Sequence, residues 1–302
     1  MVKLAIVVGA LYFIYNKTVL SNPLNLNEFT QQLKVVLLAN AWTIPILLLL
    51  TFFNWFFEIL KWKNLVKILK KITLFESTQQ SLASLTTSLF TPNRIGEYGA
   101  KAVYYKKNKR KIMLLNLVGN LNQLTVTIIF GIIGLVFFLS TYEVEINPYR
   151  LRRLGYLIGF IILLGLGNKR LKLFEFLPWK KIREFVKKIP FDIHLKVFLY
   201  SSIRYLIFSH QFYFLLLVFG VEESYFTLIS LILSMYIIAS FIPSISLFDW
   251  AIKGTVAIYI FSFLPVEEIT IVTITMLMWI LNFALPSIIG SYYVLNFKLP
   301  KK

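Results

Sequence analysis

The 302-residue sequence contains no cysteine and few charged residues. Without cysteine, disulfide bridges and thiolate metal sites are excluded. Charged residues make up 15% of the chain, hydrophobic residues 58% and aromatic residues 17%. A soluble globular domain carries about 25% charged residues. The composition therefore excludes an ordinary soluble domain and predicts an all-α polytopic membrane protein.

Acidic residues are especially scarce, with 14 Asp and Glu against 32 Lys and Arg and a net charge of +18. These basic residues lie between long apolar runs, and about 20 apolar residues span a bilayer. The charge pattern therefore favours membrane topology and anionic lipid over nucleic acid. The apolar runs are 4–20, 35–60, 81–104, 113–141, 151–167, 197–219, 225–247, 250–264 and 269–297. The first run has no signal-cleavage pattern, so we expect it to remain as a membrane helix.

The loop charges predict the orientation of the chain. Basic clusters occupy 61–71, 106–111, 169–196 and the C-terminal end, whereas acidic residues gather near 143–145, 222–223 and 267–268. The positive-inside rule then places both termini on the cytoplasmic side of the cytoplasmic (inner) membrane.

Two segments cannot be simple crossings under this rule. Residues 81–104 lie between two cytoplasmic clusters, and 24 residues are too few for two full crossings. This segment is predicted to be a re-entrant hairpin, broken near Thr91-Pro92-Asn93. Residues 224–264 lie between two acidic loops and are predicted to form a re-entrant pair or two short crossings, broken at Pro243–Asp249. About seven to nine membrane segments are expected in total.

A charged motif lies at each predicted break. Glu97 is followed four residues later by Lys101, and Asp249 is followed four residues later by Lys253. A carboxylate four residues before a base is the favoured order for an ion pair on a helix. The two motifs are half the chain apart, so the sequence predicts an inverted repeat, an architecture common among secondary transporters.

This repeat predicts one membrane domain, 1–302, with halves 1–145 and 146–302. Two basic stretches with helical periodicity, 61–75 and 178–189, are predicted to be cytoplasmic interfacial helices.

Each break is predicted to expose a helix N-terminus, which suits a phosphate. Pro92 is expected at the first helical position with Thr91 as its cap, and Ser246 has capping-box spacing to Asp249. The residues assigned to the breaks are Thr91, Pro92, Gly96, Pro243 and Ser246. Arg94 is expected to pair with a phosphate through two bonds. The alternative is that the charges of each motif pair with one another and have only a structural role, which is to stabilise the helix break.

Other polar residues in the apolar runs are weaker candidates. Glu58 is expected to pair with Lys61 at the cytoplasmic interface, and Arg204 to be buried against a partner. His210 is either a proton relay or a structural histidine. Three amides at near-helical spacing are expected to bond between helices: Asn116, Asn120 and Gln123.

The first motif also carries a family resemblance. Leu89-Phe90-Thr91-Pro92-Asn93-Arg94-Ile95-Gly96-Glu97, followed by Lys101, resembles the signature of the lysylphosphatidylglycerol synthase transmembrane-region family. That family usually has Arg where this chain has Lys101. Its second signature is a glycine-rich turn with a Pro and a final Glu, of which this chain keeps Pro243 and has Asp249 at the acidic place.

The resemblance implies movement of modified phospholipids between leaflets. Catalysis in aminoacyl-lipid synthases of the family belongs to a separate soluble domain, so no enzyme activity is expected here. No cofactor, metal set or Gly-rich phosphate loop is recognisable, so transport is expected to be passive, proton-coupled or driven by a partner.

The leading hypothesis is a lipid translocase of the flippase or scramblase type, which binds a membrane phospholipid with an anionic or modified headgroup. Its path would comprise Arg94, Glu97, Lys101, Arg204, Asp249 and Lys253. The alternative is a non-transporting membrane partner or scaffold of a cell-envelope lipid or glycosyl transferase. Either protein could form a homo-oligomer or bind an envelope enzyme. An intramembrane enzyme and a channel have no supporting motif.

Overall fold

The computed structural model describes residues 40–89, 91, 94–142, 179–242 and 249–298, together with Gln31 and Lys34. Every regular element among these residues is helical, which confirms the predicted all-α class. The predicted membrane segments 4–20 and 151–167 lie outside the described residues.

Nine helices follow one another in the described part of the chain. They are α1 (Thr43–Val66), α2 (Leu74–Ser88), α3 (Gly96–Val103), α4 (Lys109–Thr141), α5 (Trp179–Lys187), α6 (Phe191–Val218), α7 (Tyr225–Ser240), α8 (Asp249–Phe261) and α9 (Glu268–Leu295). Helix α9 contains a π-helical stretch over Ile280–Ala284.

Three of these helices, α1, α4 and α9, are long and apolar enough to cross a membrane. With a rise of about 1.5 Å per residue, even the shortest of them exceeds a hydrocarbon core of about 30 Å. Helix α7 is apolar but shorter, and α6 spans 28 residues that include Arg204, His210 and Gln211. The total of seven to nine membrane segments stays a prediction.

Helix ends occur at both predicted breaks. Helix α2 ends at Ser88 and α3 begins at Gly96, a gap we call the first break. Helix α7 ends at Ser240 and α8 begins at Asp249, which defines the second break. The two interruptions are therefore confirmed, whereas the re-entrant path of each hairpin stays a prediction.

The start of α3 differs from the expectation in one respect. The helix begins at Gly96, so Pro92 is not its first residue. The Thr91 hydroxyl still caps it, because Thr91 Oγ1 accepts the Gly96 N–H at 2.9 Å and donates to the Ser88 carbonyl at 2.8 Å. A Cβ at Gly96 would lie 3.0 Å from Thr91 and 3.1 Å from Ser88 Cα, so the glycine allows this close approach. The other assigned break residues, Pro92, Pro243 and Ser246, lie outside the described residues.

One predicted interfacial helix is wrong. Helix α1 continues through Lys61 to Val66, and α2 begins only at Leu74, so no single helix covers 61–75. Lys61 is only 2% exposed. Its ion pair with Glu58 makes this burial tolerable. The sequence predicted this partner but not the burial of the pair.

The second basic stretch is helical, as predicted. Helix α5 exposes Arg183 and Lys187, while Phe185 and Val186 are half-buried. This is the amphipathic pattern expected of a helix in the headgroup plane, and that location stays a prediction.

The chain divides into two compact units, one comprising Met1–Phe138 with Phe191–Lys302 and the other Leu139–Pro190. Both breaks belong to the first unit. The inverted repeat with halves 1–145 and 146–302 stays a prediction, because this division rests on compactness and not on symmetry.

Close packing of α2 against α9 fixes the first break in place. A Cβ at Gly290 would collide with the Leu82 carbonyl oxygen of α2. The Thr86 hydroxyl also donates to the Ser287 carbonyl at 2.8 Å. Helix α1 packs along α6, and together these contacts surround the interior described below.

Candidate functional site

A cavity of about 310 Å³ inside the first unit is lined by side chains from both breaks. Arg94 reaches it from the first break, and Asp249 and Lys253 reach it from the start of α8. Arg204 of α6 completes the charged lining. Four of the six residues predicted for the path therefore meet at one cavity, although they are distant in sequence.

Arg94 occupies the cavity in an unusual backbone conformation. Its φ of 57° lies in the left-handed region, which residues other than glycine rarely adopt. Its guanidinium Nη2 pairs with the Glu97 carboxylate, whereas Nε is buried and has no hydrogen-bond partner among the described residues. Strained backbone and unsatisfied buried donors are both features that cluster at functional sites, so they make Arg94 a candidate site residue.

Glu97 and Lys101 lie behind the cavity. Each is 2% exposed. Glu97 pairs with Arg94, while Lys101 Nζ donates to Asn116 Oδ1 at 2.7 Å and lies 4.4 Å from the centre of the Trp62 ring. The expected pairing of Glu97 with Lys101 is replaced by the local pair of Glu97 with Arg94 and by the tertiary contacts of Lys101. The two residues position the first break and do not line the cavity.

Asp249 and Lys253 form the predicted ion pair, with 2.7 Å between Asp249 Oδ2 and Lys253 Nζ. The Phe283 ring is close to both Lys253 of this pair and Arg94. Its centre is 5.7 Å from Lys253 Nζ and 5.6 Å from Arg94 Cζ, distances typical of cation–π contacts. One aromatic side chain of α9 thus connects the cations of the two breaks.

Arg204 is half-buried against a partner, and that partner is the Glu58 carboxylate. Glu58 Oε2 lies 2.5 Å from Arg204 Nη1 and 2.6 Å from Lys61 Nζ. The predicted pair of Glu58 with Lys61 is confirmed, but its snorkelling character is wrong, because the Glu58 side chain is 7% exposed and also binds Arg204. Two opposite charges offset the cost of burying this carboxylate.

A chain of amides extends from Arg204, and sequence reasoning missed it. Arg204 Nε donates to Asn54 Oδ1 at 2.9 Å, and Asn54 Nδ2 donates to Asn282 Oδ1 at 2.6 Å. Asn282 Nδ2 donates to Gln211 Oε1 at 2.8 Å, and Gln211 Nε2 donates to Thr51 Oγ1 at 2.9 Å. The sequence did contain one indication of this network. Asn54, Gln211 and Asn282 are uncharged amides within apolar runs, and a buried amide needs hydrogen-bond partners.

The π-helical stretch of α9 explains the position of Asn282. Pro286 has no N–H to donate to the Asn282 carbonyl four residues earlier. That carbonyl instead accepts the indole N–H of Trp55 at 3.0 Å. Because π-helical turns are frequent at functional sites, this distortion supports the cavity as the candidate site.

Three further predictions concerned amides of α4, and all are confirmed. Asn116 accepts from Lys101, Asn120 Nδ2 donates to the Tyr98 hydroxyl at 3.1 Å, and Gln123 Nε2 donates to the Ser201 carbonyl at 3.4 Å.

His210 has a structural environment. Its Nε2 lies 2.9 Å from the Tyr225 hydroxyl, and its Nδ1 lies 2.8 Å from the Leu206 carbonyl. Both ring nitrogens are engaged away from the cavity lining, which favours the structural role over a proton relay.

Comparison with known protein families agrees with this architecture. The profile of the lysylphosphatidylglycerol synthase TM region matches residues 1–291. The chain belongs to this family. The resemblance drawn from the motif around Arg94 and Glu97 is therefore confirmed, and the protein is an integral membrane protein of a family related to lipid modification and translocation. No match was found among curated proteins or among solved structures.

Proposed function

We propose that this member of the lysylphosphatidylglycerol synthase TM family is a lipid translocase of the flippase or scramblase type, and not an enzyme. It moves a phospholipid or lipid-linked headgroup between the leaflets of the cytoplasmic membrane, with both termini cytoplasmic. The observation that carries this proposal is the meeting of Arg94, Arg204 and Lys253 at one cavity of about 310 Å³.

The cavity suits a headgroup and not a whole lipid. Its volume lies at the lower end of the range of about 300–1,000 Å³ for small-molecule sites. A charge at the bilayer centre costs about 2.5–3.5 kcal/mol on insertion scales, and a pocket of fixed opposite charge offsets that cost for a phosphate. Asn54 and Asn282 add neutral polar groups to the lining. The acyl chains can stay in the hydrocarbon while the headgroup passes.

Partner exchange provides a mechanism for passage. Arg94 is held by Glu97, and Lys253 is held by Asp249. A phosphate that enters the cavity competes with these carboxylates for the same cations. When the phosphate leaves, each carboxylate recovers its partner, so the empty cavity is restored without an unpaired charge. In this mechanism Lys101 and Glu58 keep their partners and stabilise the helices around the cavity.

The alternative function is a non-transporting partner of a cell-envelope transferase. Its supporting observation is α5, which exposes Arg183 and Lys187 on one face. A basic amphipathic surface of this kind binds membrane surfaces or acidic protein segments without any transport.

Leaflet exchange of fluorescent phospholipids in liposomes tests the proposal, with dithionite used to bleach the outer leaflet. The wild-type protein is expected to accelerate exchange. Arg94→Ala should slow it by about tenfold or more, which corresponds to about 1.4 kcal/mol in the barrier. Arg110→Ala is the matched control, because Arg110 is exposed and outside the cavity lining.

The contrary result is equal exchange in wild-type, variant and empty liposomes for several headgroups. It would exclude translocation and favour the partner function. An Arg94→Ala rate equal to that of Arg110→Ala, with wild-type activity intact, would instead remove Arg94 from the path.

A further inference from the structure

The charges around the cavity do not balance. The described residues that are buried or half-buried around it include five cations and three carboxylates. The cations are Lys61, Arg94, Lys101, Arg204 and Lys253, and the carboxylates are Glu58, Glu97 and Asp249. The undescribed positions at the two breaks, 90, 92–93 and 243–248, contain no ionisable residue in the sequence. Among the residues that the structure describes around the cavity, cations therefore outnumber carboxylates by two.

The donors on the cavity side are those of Arg94 and Lys253. Lys61 is held by Glu58, and Lys101 is held by Asn116 and the Trp62 ring, both away from the cavity. Arg94 offers the buried Nε described above. Lys253 keeps further hydrogen-bond donors beyond the one directed at Asp249, because an ammonium group has three. The cavity lining thus presents three cations, Arg94, Arg204 and Lys253, and one carboxylate, Asp249, so a bound anion can share the donors of Arg94 and Lys253 at the two breaks.

The lining is unfavourable for a headgroup that also carries an amine. Its carboxylate, Asp249, is engaged by Lys253 at 2.7 Å. A quaternary ammonium on Phe283 or Tyr236 would compete with a protein cation, since Phe283 contacts both Arg94 and Lys253, and Tyr236 lies 5.9 Å from Lys253 Nζ. The ammonium group of such a headgroup would lie close to the cations Arg94 and Lys253. Like-charge contacts of this kind are a common means of rejecting a ligand.

We propose that the cavity selects a phospholipid headgroup of net negative charge, a phosphate without a neutralising amine, as in phosphatidic acid or phosphatidylglycerol. The phosphate is received by Arg94 and Lys253, which both line the cavity and both contact Phe283. This inference rests on the proposed function for its biological setting, but the selectivity belongs to the cavity and can be measured without transport.

The test is equilibrium binding to the full chain in a neutral maltoside detergent. Trp250 and Trp279 line the cavity, so intrinsic fluorescence reports its occupation. The ligands are dihexanoyl forms of phosphatidic acid, phosphatidylglycerol and phosphatidylcholine, and inorganic phosphate. The two anionic lipids are expected to bind at least about tenfold more tightly than the other two ligands.

Two substitutions sharpen this test. Lys253→Gln removes one cation and releases Asp249 as an acceptor, so the preference over phosphatidylcholine should fall to about threefold or less. Lys253→Arg keeps the charge and should keep the preference. If Lys253→Gln fails to fold, the wild-type ligand series still decides the question.

The outcomes separate this inference from the proposed function. Equal binding of phosphatidylcholine and phosphatidylglycerol overturns the selectivity, even when leaflet exchange is observed. Equal binding of inorganic phosphate and phosphatidylglycerol also overturns it, because the cavity then serves free phosphate. A clear anionic preference without leaflet exchange supports the inference and overturns the translocase.

Discussion

The two breaks have the same local spacing of charges and different ion pairs. At the second break the carboxylate of Asp249 pairs forward with Lys253, four residues later. At the first break the carboxylate of Glu97 pairs backward with Arg94, and Lys101 contacts Asn116 and Trp62 instead. Glu97 is almost fully buried, whereas Asp249 lines the cavity.

This difference shows that local spacing sets which pairs are available, and packing decides which pair forms. A pair four residues apart contributes only about 0.2–0.5 kcal/mol on a helix surface. A hydrogen bond between a buried ammonium and an amide of another helix outweighs that preference. The first break is therefore a structural junction that presents Arg94, whereas the second presents its whole ion pair to the cavity.

The largest effect is expected from Glu97→Gln at the first break. This substitution leaves Arg94 without a counterion in a buried setting, and loss of one partner of a buried pair costs about 3 kcal/mol. The free energy of unfolding, measured by SDS titration in mixed micelles, should fall by about that amount. Glu223→Gln is the control, because Glu223 is exposed in a loop and should change stability by less than ~0.5 kcal/mol. Equal stability of the two variants would contradict the structural role of this pair.

An intermediate effect is expected from Gly96→Ala, which tests the close packing of the first break. The added Cβ would lie 3.0 Å from Thr91 and 3.1 Å from Ser88 Cα, and overpacking of this kind costs about 1–3 kcal/mol. Gly99→Ala is the matched control on the same helix, since a Cβ there has open space within 4 Å. The control should be neutral or stabilising by about 0.5–1 kcal/mol. A Gly96→Ala variant as stable as Gly99→Ala would show that the first break accommodates the added Cβ by a small shift of the chain.

The breaks themselves were predictable from the sequence. A run of apolar residues between two basic clusters, with a proline inside it, required an interruption near residue 91, and α2 ends at Ser88 while α3 begins at Gly96. The Asp249–Lys253 pair was predictable from local spacing, because both partners belong to one helix, four residues apart.

The polar network was not predictable, because its partners come from distant segments. Nothing in the sequence near Asn54 indicates Asn282 as its partner, and Glu58 beside Lys61 is typical of an interfacial pair. Depth within the bundle decides between an interfacial and a buried pair, and depth depends on how α1 packs against α6. Local charge patterns carry no information on that packing, which is why the burial of Lys61 was missed.

The smallest effect on stability is expected from Asp249→Asn at the second break. Its ion pair is partly exposed to the cavity, and such pairs contribute about 1 kcal/mol or less. The chain offers a close control in Asp192→Asn, because Asp192 also lies in the first turn of a helix and pairs with Lys196 four residues later, at 3.8 Å. Both variants should lose less than ~1 kcal/mol in the SDS titration.

Leaflet exchange should separate these two variants. Asp192→Asn changes an exposed pair outside the cavity lining, so its rate should equal that of the wild-type protein. Asp249→Asn leaves Lys253 without its carboxylate, so a phosphate bound there has no competitor to release it, and exchange should slow. If Asp249→Asn lost as much stability as Glu97→Gln, the ion pair of the second break would be as important for stability as that of the first. Equal exchange in both variants would remove the Asp249–Lys253 pair from the path and leave the first break as the binding element.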